Sequence, residues 1–283
     1  VRHLAQQGRS LLRHRTTEVA DESKSHNWDR LASSSVRTKP NARAVSPAGG
    51  DGSGAIDTVD GLAWTRRNSL IATYDWGEIV ASEEANQMLI DPYSSVAQNG
   101  AMAMKRGFDD VIIAAATGAA GDGAGGTVAF PAGQVIGDGT TVITFDDLLA
   151  TRKLFAVNDV DPDEPICLVI GPEQQQTLLG IEQVTSADYQ TVQMLVNGYV
   201  KNFLGFDEII VSNRLTVPQA TELSCLAFSR KAIGTHVAGD IRAKVGERPD
   251  MSFETQFYLQ MDIAAVRVED EHIVHLHMKD AQV

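Results

Sequence analysis

The sequence predicts an elongated α+β fold, and three observations predict it. Small and apolar residues recur with a period of 3.6 over residues 92–117. Apolar Phe257, Leu259, Met261 and Ile263 alternate with Tyr258, Gln260, Asp262 and Ala264. Between them, over residues 144–228, short apolar runs and helix-like segments take turns. The 283 residues suffice for one large domain or two small ones. With 43% apolar and 22% charged residues the chain has a globular balance, which excludes collagen, a wholly disordered protein and a disulfide framework.

Residues 1–62 lack sustained periodicity and are rich in Ser, Gly, Arg and Ala, as at residues 33–35 (SSS) and 48–54 (AGGDGSG). So few large apolar side chains cannot offset the entropy of ordering. Two readings stay open: a disordered tail, or an arm ordered only against neighbouring subunits. Trp28 and Trp64 favour the arm, because tryptophan is depleted in disorder and common as an interface anchor. Asp91 then serves as N-cap and Pro92 as first residue of a helix running to about Thr117. At 1.5 Å per residue it spans about 39 Å. Its small residues Ala97, Gly100, Ala101 and Gly107 predict close approach by another backbone. Beyond the glycine-rich residues 118–126, β signals fall at 127–130 and 140–144, and a capping box at Thr144–Asp147 opens a helix ending near Val157. Strands are predicted at 166–170, 206–212 and 224–228, with helices at 172–179 and 186–198. A strand from about Phe253 to Val268 turns at Glu269–Glu271 and returns as His272–Met278.

Charge divides unevenly. Residues 1–45 hold nine Lys/Arg against four Asp/Glu, a net of +5, which leaves −18 on the remainder of a chain at −13. A basic arm on an acidic body suits docking onto an acidic neighbour or binding nucleic acid. Its arginines are scattered and not interleaved with aromatics, so a nucleic-acid platform is disfavoured. The apolar run 111–120 is about half of what a membrane helix needs, and no membrane partner is expected.

No catalytic, cofactor-binding or metal residues are assigned from the sequence. Gly121–Gly126 satisfies G-x-G-x-x-G, but it follows a helix and runs into β-like residues, the reverse of a dinucleotide site. Residues 159–164 (DVDPDE) begin like a calcium loop but lack its sixth-position glycine and its twelfth-position glutamate. His275 and His277 share a strand face without a third ligand in view. Asp109 and Asp110 lie about 100° apart on the helix and so cannot act together on one substrate; capping, or pairing with arginines of a neighbouring segment, is their expected role. Cys167 and Cys225 lie in apolar β-like runs and read as buried thiols of a reducing compartment.

Several segments, in order, resemble the major capsid proteins of tailed bacteriophages, the family with the Hong-Kong-97-type shell fold. They are residues 22–35 (ESKSHNWDRLASSS), 74–78 (YDWGE), 88–97 (MLIDPYSSVA) and 106–118 (RGFDDVIIAAATG). Further along come 168–176 (LVIGPEQQQ), 185–189 (TSADY), 204–206 (LGF), 248–250 (RPD) and 265–270 (AVRVED). The resemblance spans about residues 20–279 and departs at the Gly/Ser-rich 36–63. It implies an N-terminal arm (1–20), an extended β-hairpin loop (21–72) and a peripheral domain (73–163) with the spine helix 92–117. An axial domain (164–238) and a return to the peripheral domain as a long β-hairpin (239–283) would follow. It further implies pentamers and hexamers closing into an icosahedral shell around double-stranded DNA, bound without sequence specificity. Other copies of the chain, a portal, and scaffold or cement proteins would be its partners, in a virion assembled in the host cytoplasm. Trp28, Arg30, Trp64, Arg66, Arg67, Asp109 and Asp110 are then expected at subunit contacts. The alternatives are an encapsulin-type compartment, a small α/β nucleotide-binding enzyme using Gly121–Gly126, and a DNA-binding protein using the basic arm.

Overall fold

A computed structural model describes residues 6–32, 64–81, 83, 92–180, 201–215 and 222–280, with backbone alone at 201–203. The cap at Asp91, the helix expected at 186–198 and the loop at 36–63 lie outside these residues.

One unit is a long helix laid on a long sheet. Strand β1 (Thr17–Ala20), the hairpin β12 (Ile233–Arg248) and β13 (Glu254–Arg267), and β4 (Ala72–Val80) form the order β1-β12-β13-β4. Helix α1 (Tyr93–Thr117) crosses it, burying Met104, Phe108, Ile112 and Ile113, as the 3.6 period requires. The small residues of α1 admit side chains of the sheet, where a backbone was expected. A Cβ added at Gly100 would lie 2.5 Å from Trp76 ring carbons and 2.8 Å from Leu259, and one at Gly107 would lie 3.3 Å from the Met261 methyl. Gly100→Ala gains about 1 kcal/mol of helix propensity but forces the Trp76 ring aside, at about 1–3 kcal/mol. A net fall in the thermal midpoint is expected; an unchanged or raised midpoint would show that the ring moves freely.

The second unit is a six-stranded sheet. Its order is β7 (Val135–Ile136), β14 (Ile273–Lys279), β11 (Glu222–Ser229), β8 (Ile166–Ile170), β10 (Phe206–Val211) and β9 (Lys201–Phe203). All five residues of β8 are buried, the mark of a strand covered on both faces. Helix α2 (Phe145–Val157) opens on the Thr144–Asp147 capping box and adds Leu148 and Phe155 to the core, while α3 (Pro172–Gly180) adds Leu178.

A third sheet joins the ribbon β2 (Ser25–Leu31) and β3 (Trp64–Leu70) to a small hairpin, β5 (Ala120–Gly121) and β6 (Thr127–Val128). The ribbon runs antiparallel from Ser25 opposite Leu70 to Leu31 opposite Trp64, and one pair, Asn68 with Gly121, ties it to β5.

Three sequence expectations are corrected. The long hairpin is β12–β13, and the return strand β14 pairs with β11 in the other sheet. The half of β12 up to Val237 is almost entirely buried and the half beyond Asp240 exposed, so it shows no alternation to read. The β signal at 140–144 belongs to no strand; β7 lies earlier, at Val135–Ile136. There Ile143 is buried and the Thr141 carbonyl accepts from the Lys279 amide at 2.8 Å. Residues 6–32 pack on their own chain: Leu12 is fully buried and β1 pairs in parallel with β12.

The distal half of β12 faces outward as a sheet edge. β1 covers it only from Gly234 to Val237, and among the described residues nothing pairs with its outer side beyond that.

Candidate assembly surface

Residues of the arm grip the middle of α1. The Asp109 carboxylate is fully buried and accepts from the amides of Leu11 (2.9 Å) and Leu12 (3.2 Å), from Gln7 Nε2 (2.6 Å) and from Ser10 Oγ. Four donors replace the water a carboxylate loses on burial. Next to it Arg13 pairs with Glu18 at 2.7 Å and Asp240 at 3.2 Å, and lies 4.7 Å over the Phe108 ring. The Glu18 bond, ahead of Asp240, raises its pKa above the ordinary arginine value against the opposing effect of burial. Arg15 reaches Asp207 (2.8 Å) and Glu208, and His14 reaches Glu208 at 3.1 Å. Desolvation alone would raise the Glu208 pKa, and the hydrogen bonds from His14 and Arg15 nonetheless hold it below the usual carboxylate value. The basic arm therefore spends much of its charge on the acids of its own body. Asp110 takes the other direction, bonding Arg214, whose pKa this raises.

The ribbon is fixed to the body by a buried ionic cluster that takes in Arg67 and Arg30. Arg267, fully buried, donates to Asp270, to the carbonyls of Gly118 (2.6 Å), Val128 (3.0 Å) and Ala129 (3.0 Å), and stacks 4.9 Å over Phe130. Asp270 also accepts from Arg67 of β3 at 2.7 Å. Arg30 of β2 bonds Glu269 at 3.0 Å and Glu271 at 3.3 Å. The acidic turn expected at 269–271 is thus the counter-charge that seats both strands of the ribbon. Trp28 lies against Gly234, where a Cβ would come 2.6 Å from its ring, and its Nε1 donates to Ser69 Oγ at 3.4 Å.

At the Leu31–Trp64 end of the ribbon, among the described residues, Trp64 is 71% exposed beside Leu31 at 49%; Leu70, at the opposite end, is 68% exposed. Arg66 and Asp29 pair at 2.6 Å on the ribbon's surface, each stabilising the charged form of the other. Of the seven residues expected at contacts, Arg30, Arg67, Asp109 and Trp28 are engaged within the chain, Asp110 and Arg66 make exposed intrachain pairs, and Trp64 projects free of the body.

Other sequence features resolve into structure. The Gly121–Gly126 segment is the β5–β6 turn. The Asp122 carboxylate accepts from the amides of Ala124 and Gly126, both at 2.8 Å, so the segment's own anion occupies the donors a phosphate would need. In the 159–164 turn, Asp161 accepts from the Asp163 amide and Glu164 pairs with Lys231, both at 3.0 Å. Cys167 and Cys225 are buried free thiols, each pushed up to about 12 by burial. Among the described residues no helix is long and apolar enough to cross a membrane.

Arg267 and Asp270 were not anticipated from the sequence. A signal existed for the first: Phe257, Leu259, Met261 and Ile263 set the inward parity of β13, and Arg267 continues it.

The family model described as phage capsid protein matches residues 1–280. No curated protein matches the sequence. Among solved structures, the capsid of cyanophage Pam1 is similar at 11% identity and TM-score 0.75, over 100% of this chain and 95% of that one. The capsid of cyanophage P-SCSP1u aligns at 16% identity and TM-score 0.73, over 99% and 91%. The capsid of a native GTA particle aligns at 12% identity and TM-score 0.70, over 98% and 92%.

Proposed function

Because this chain belongs to the phage capsid protein family, we propose that its copies associate as pentamers and hexamers, closing an icosahedral shell around double-stranded DNA. It is a major capsid protein of the Hong-Kong-97-type fold, a structural component of a phage virion. Its work is assembly and not catalysis. The observation that carries this reading is the β2–β3 ribbon: it is bolted to the body through Arg30 and Arg67, and among the described residues Leu31 and Trp64 at its end stay exposed. An exposed tryptophan on a rigid extension is an anchor for another copy of the chain.

In this reading α1 and the long sheet form the peripheral domain and the six-stranded sheet the axial domain, which then includes β14. Trp64 and Leu31 make the contact between subunits, with Arg66 and Trp28 around it. Arg30 and Arg67 hold the ribbon at the angle the contact needs, and Asp109 and Asp110 support the body beneath. The net −18 beyond residue 45 suits a wall facing packed DNA, since repulsion keeps the genome from adhering. Portal, scaffold or cement proteins complete the particle, which assembles in the host cytoplasm.

Negative-stain microscopy of the expressed chain tests the proposal. Uniform closed particles or capsomer rings are expected, and dispersed small globules would overturn it. Trp64→Ala should weaken association roughly tenfold or more while leaving the melting of the isolated subunit unchanged. Packaged DNA, as opposed to a protein cargo, separates a virion from an encapsulin-type compartment.

A further inference from the structure

The pair His275 and His277 on β14 belongs to neither the ribbon nor the arm. Val274, Leu276 and Met278 point into the core and are fully buried, which puts the two histidines together on the opposite face. The ring centroids are 4.2 Å apart with planes at 83°. His275 is 7% exposed, packs against Phe130 at 5.7 Å, and among the described residues its Nε2 has no hydrogen-bond partner. His277 is half-buried and opens the pair to solvent. Beside them in the sheet stand Leu226, Ser224 and Val135, none of them charged.

A buried imidazole nitrogen without a partner costs free energy that a ligand can recover. We propose that His275 and His277 form a two-imidazole site for a borderline transition-metal ion such as zinc, nickel or copper(II). Two ligands on a tetrahedral ion at about 2.0 Å each lie roughly 3.3 Å apart, a separation compatible with two rings whose centroids are 4.2 Å apart. Imidazole suits these ions, whereas magnesium and calcium require oxygen ligands. Among the described residues no cluster of three His, Cys, Asp or Glu side chains surrounds the pair, so water fills the remaining positions and the site is a weak one. The sequence alone showed two histidines two apart; the structure adds their contact and the unpartnered nitrogen.

The test is calorimetric titration of the full chain with nickel chloride and zinc chloride at neutral pH. One ion per chain is expected, with no response to calcium or magnesium chloride. His277→Ala should lower the affinity at least about tenfold with the melting midpoint of the apo chain retained. His275→Phe, which fills the buried position with an apolar ring, should abolish binding. Wild-type affinity in both variants, or no binding to the wild type, would overturn the proposal. Neither outcome bears on shell assembly, which microscopy reads separately.

Discussion

Replacing Asp109 by alanine is expected to cost about 1–3 kcal/mol of folding stability, the range for buried donors left without an acceptor. The carboxylate is fully buried in α1, and the amides of Leu11 and Leu12 end on it together with Gln7 and Ser10. Removing it leaves those amides without an acceptor, Leu12 in a site closed to water. Asp109→Asn, which keeps one acceptor oxygen, should cost less than the alanine. Deleting the chain through Leu12 should be as damaging for the converse reason, since it strands the carboxylate. Combining that deletion with Asp109→Leu should recover part of the loss, because removing both partners is milder than removing one. Urea denaturation reads all four variants. A loss below about 1 kcal/mol for Asp109→Ala would mean that the arm is dispensable to the fold.

The second large effect is expected at Asp270. Asp270→Asn leaves Arg267, with no solvent exposure, and the buried Arg67 facing each other with their shared counter-charge gone. A loss of about 3–5 kcal/mol follows from that uncompensated burial. This variant also carries a local signature. Arg67 carries an ionic bond from β3 to the body, so amide hydrogens of Trp64–Leu70 should exchange faster, by more than the global loss of stability explains. Arg30, bonded to Glu269 and Glu271, keeps a partial hold on β2. Unaltered protection of β3 would show that the β2–β3 pairing alone positions the ribbon.

Much of the fold was legible because its elements carry local signals. The 3.6 period of α1, the Thr144–Asp147 box and the alternation of β13 depend only on which face meets the core. Pairing was not legible. β13 and β14 are separated by a short acidic turn and read as a hairpin, yet their partners are β12 and β11, chosen by burial that no short window contains. The arm misled in a similar way: residues 6–32 have too few apolar side chains to fold alone, but Leu12, Asp109 and the arginine pairs dock them on the body. At the candidate surface Trp64 was expected at a subunit contact, and the structure leaves it exposed. Arg30 and Arg67 were expected at subunit contacts, and their intrachain partners at 269–271, some two hundred residues away, were not legible.

The uncovered outer side of β12 has a consequence for the subunit before it finds its neighbours. A strand edge with free amides and carbonyls is a template on which another copy can add a strand in the wrong place. From Asp240 to Arg248 that edge carries Asp240, Arg242, Lys244, Glu247 and Arg248, with residues 242–247 exposed throughout. Bringing a second such strand alongside would strip water from long ionic side chains, and in parallel register would set like charges against one another. A protein made in many copies at high local concentration thereby stays dissolved until geometry, and not stickiness, decides where each copy goes.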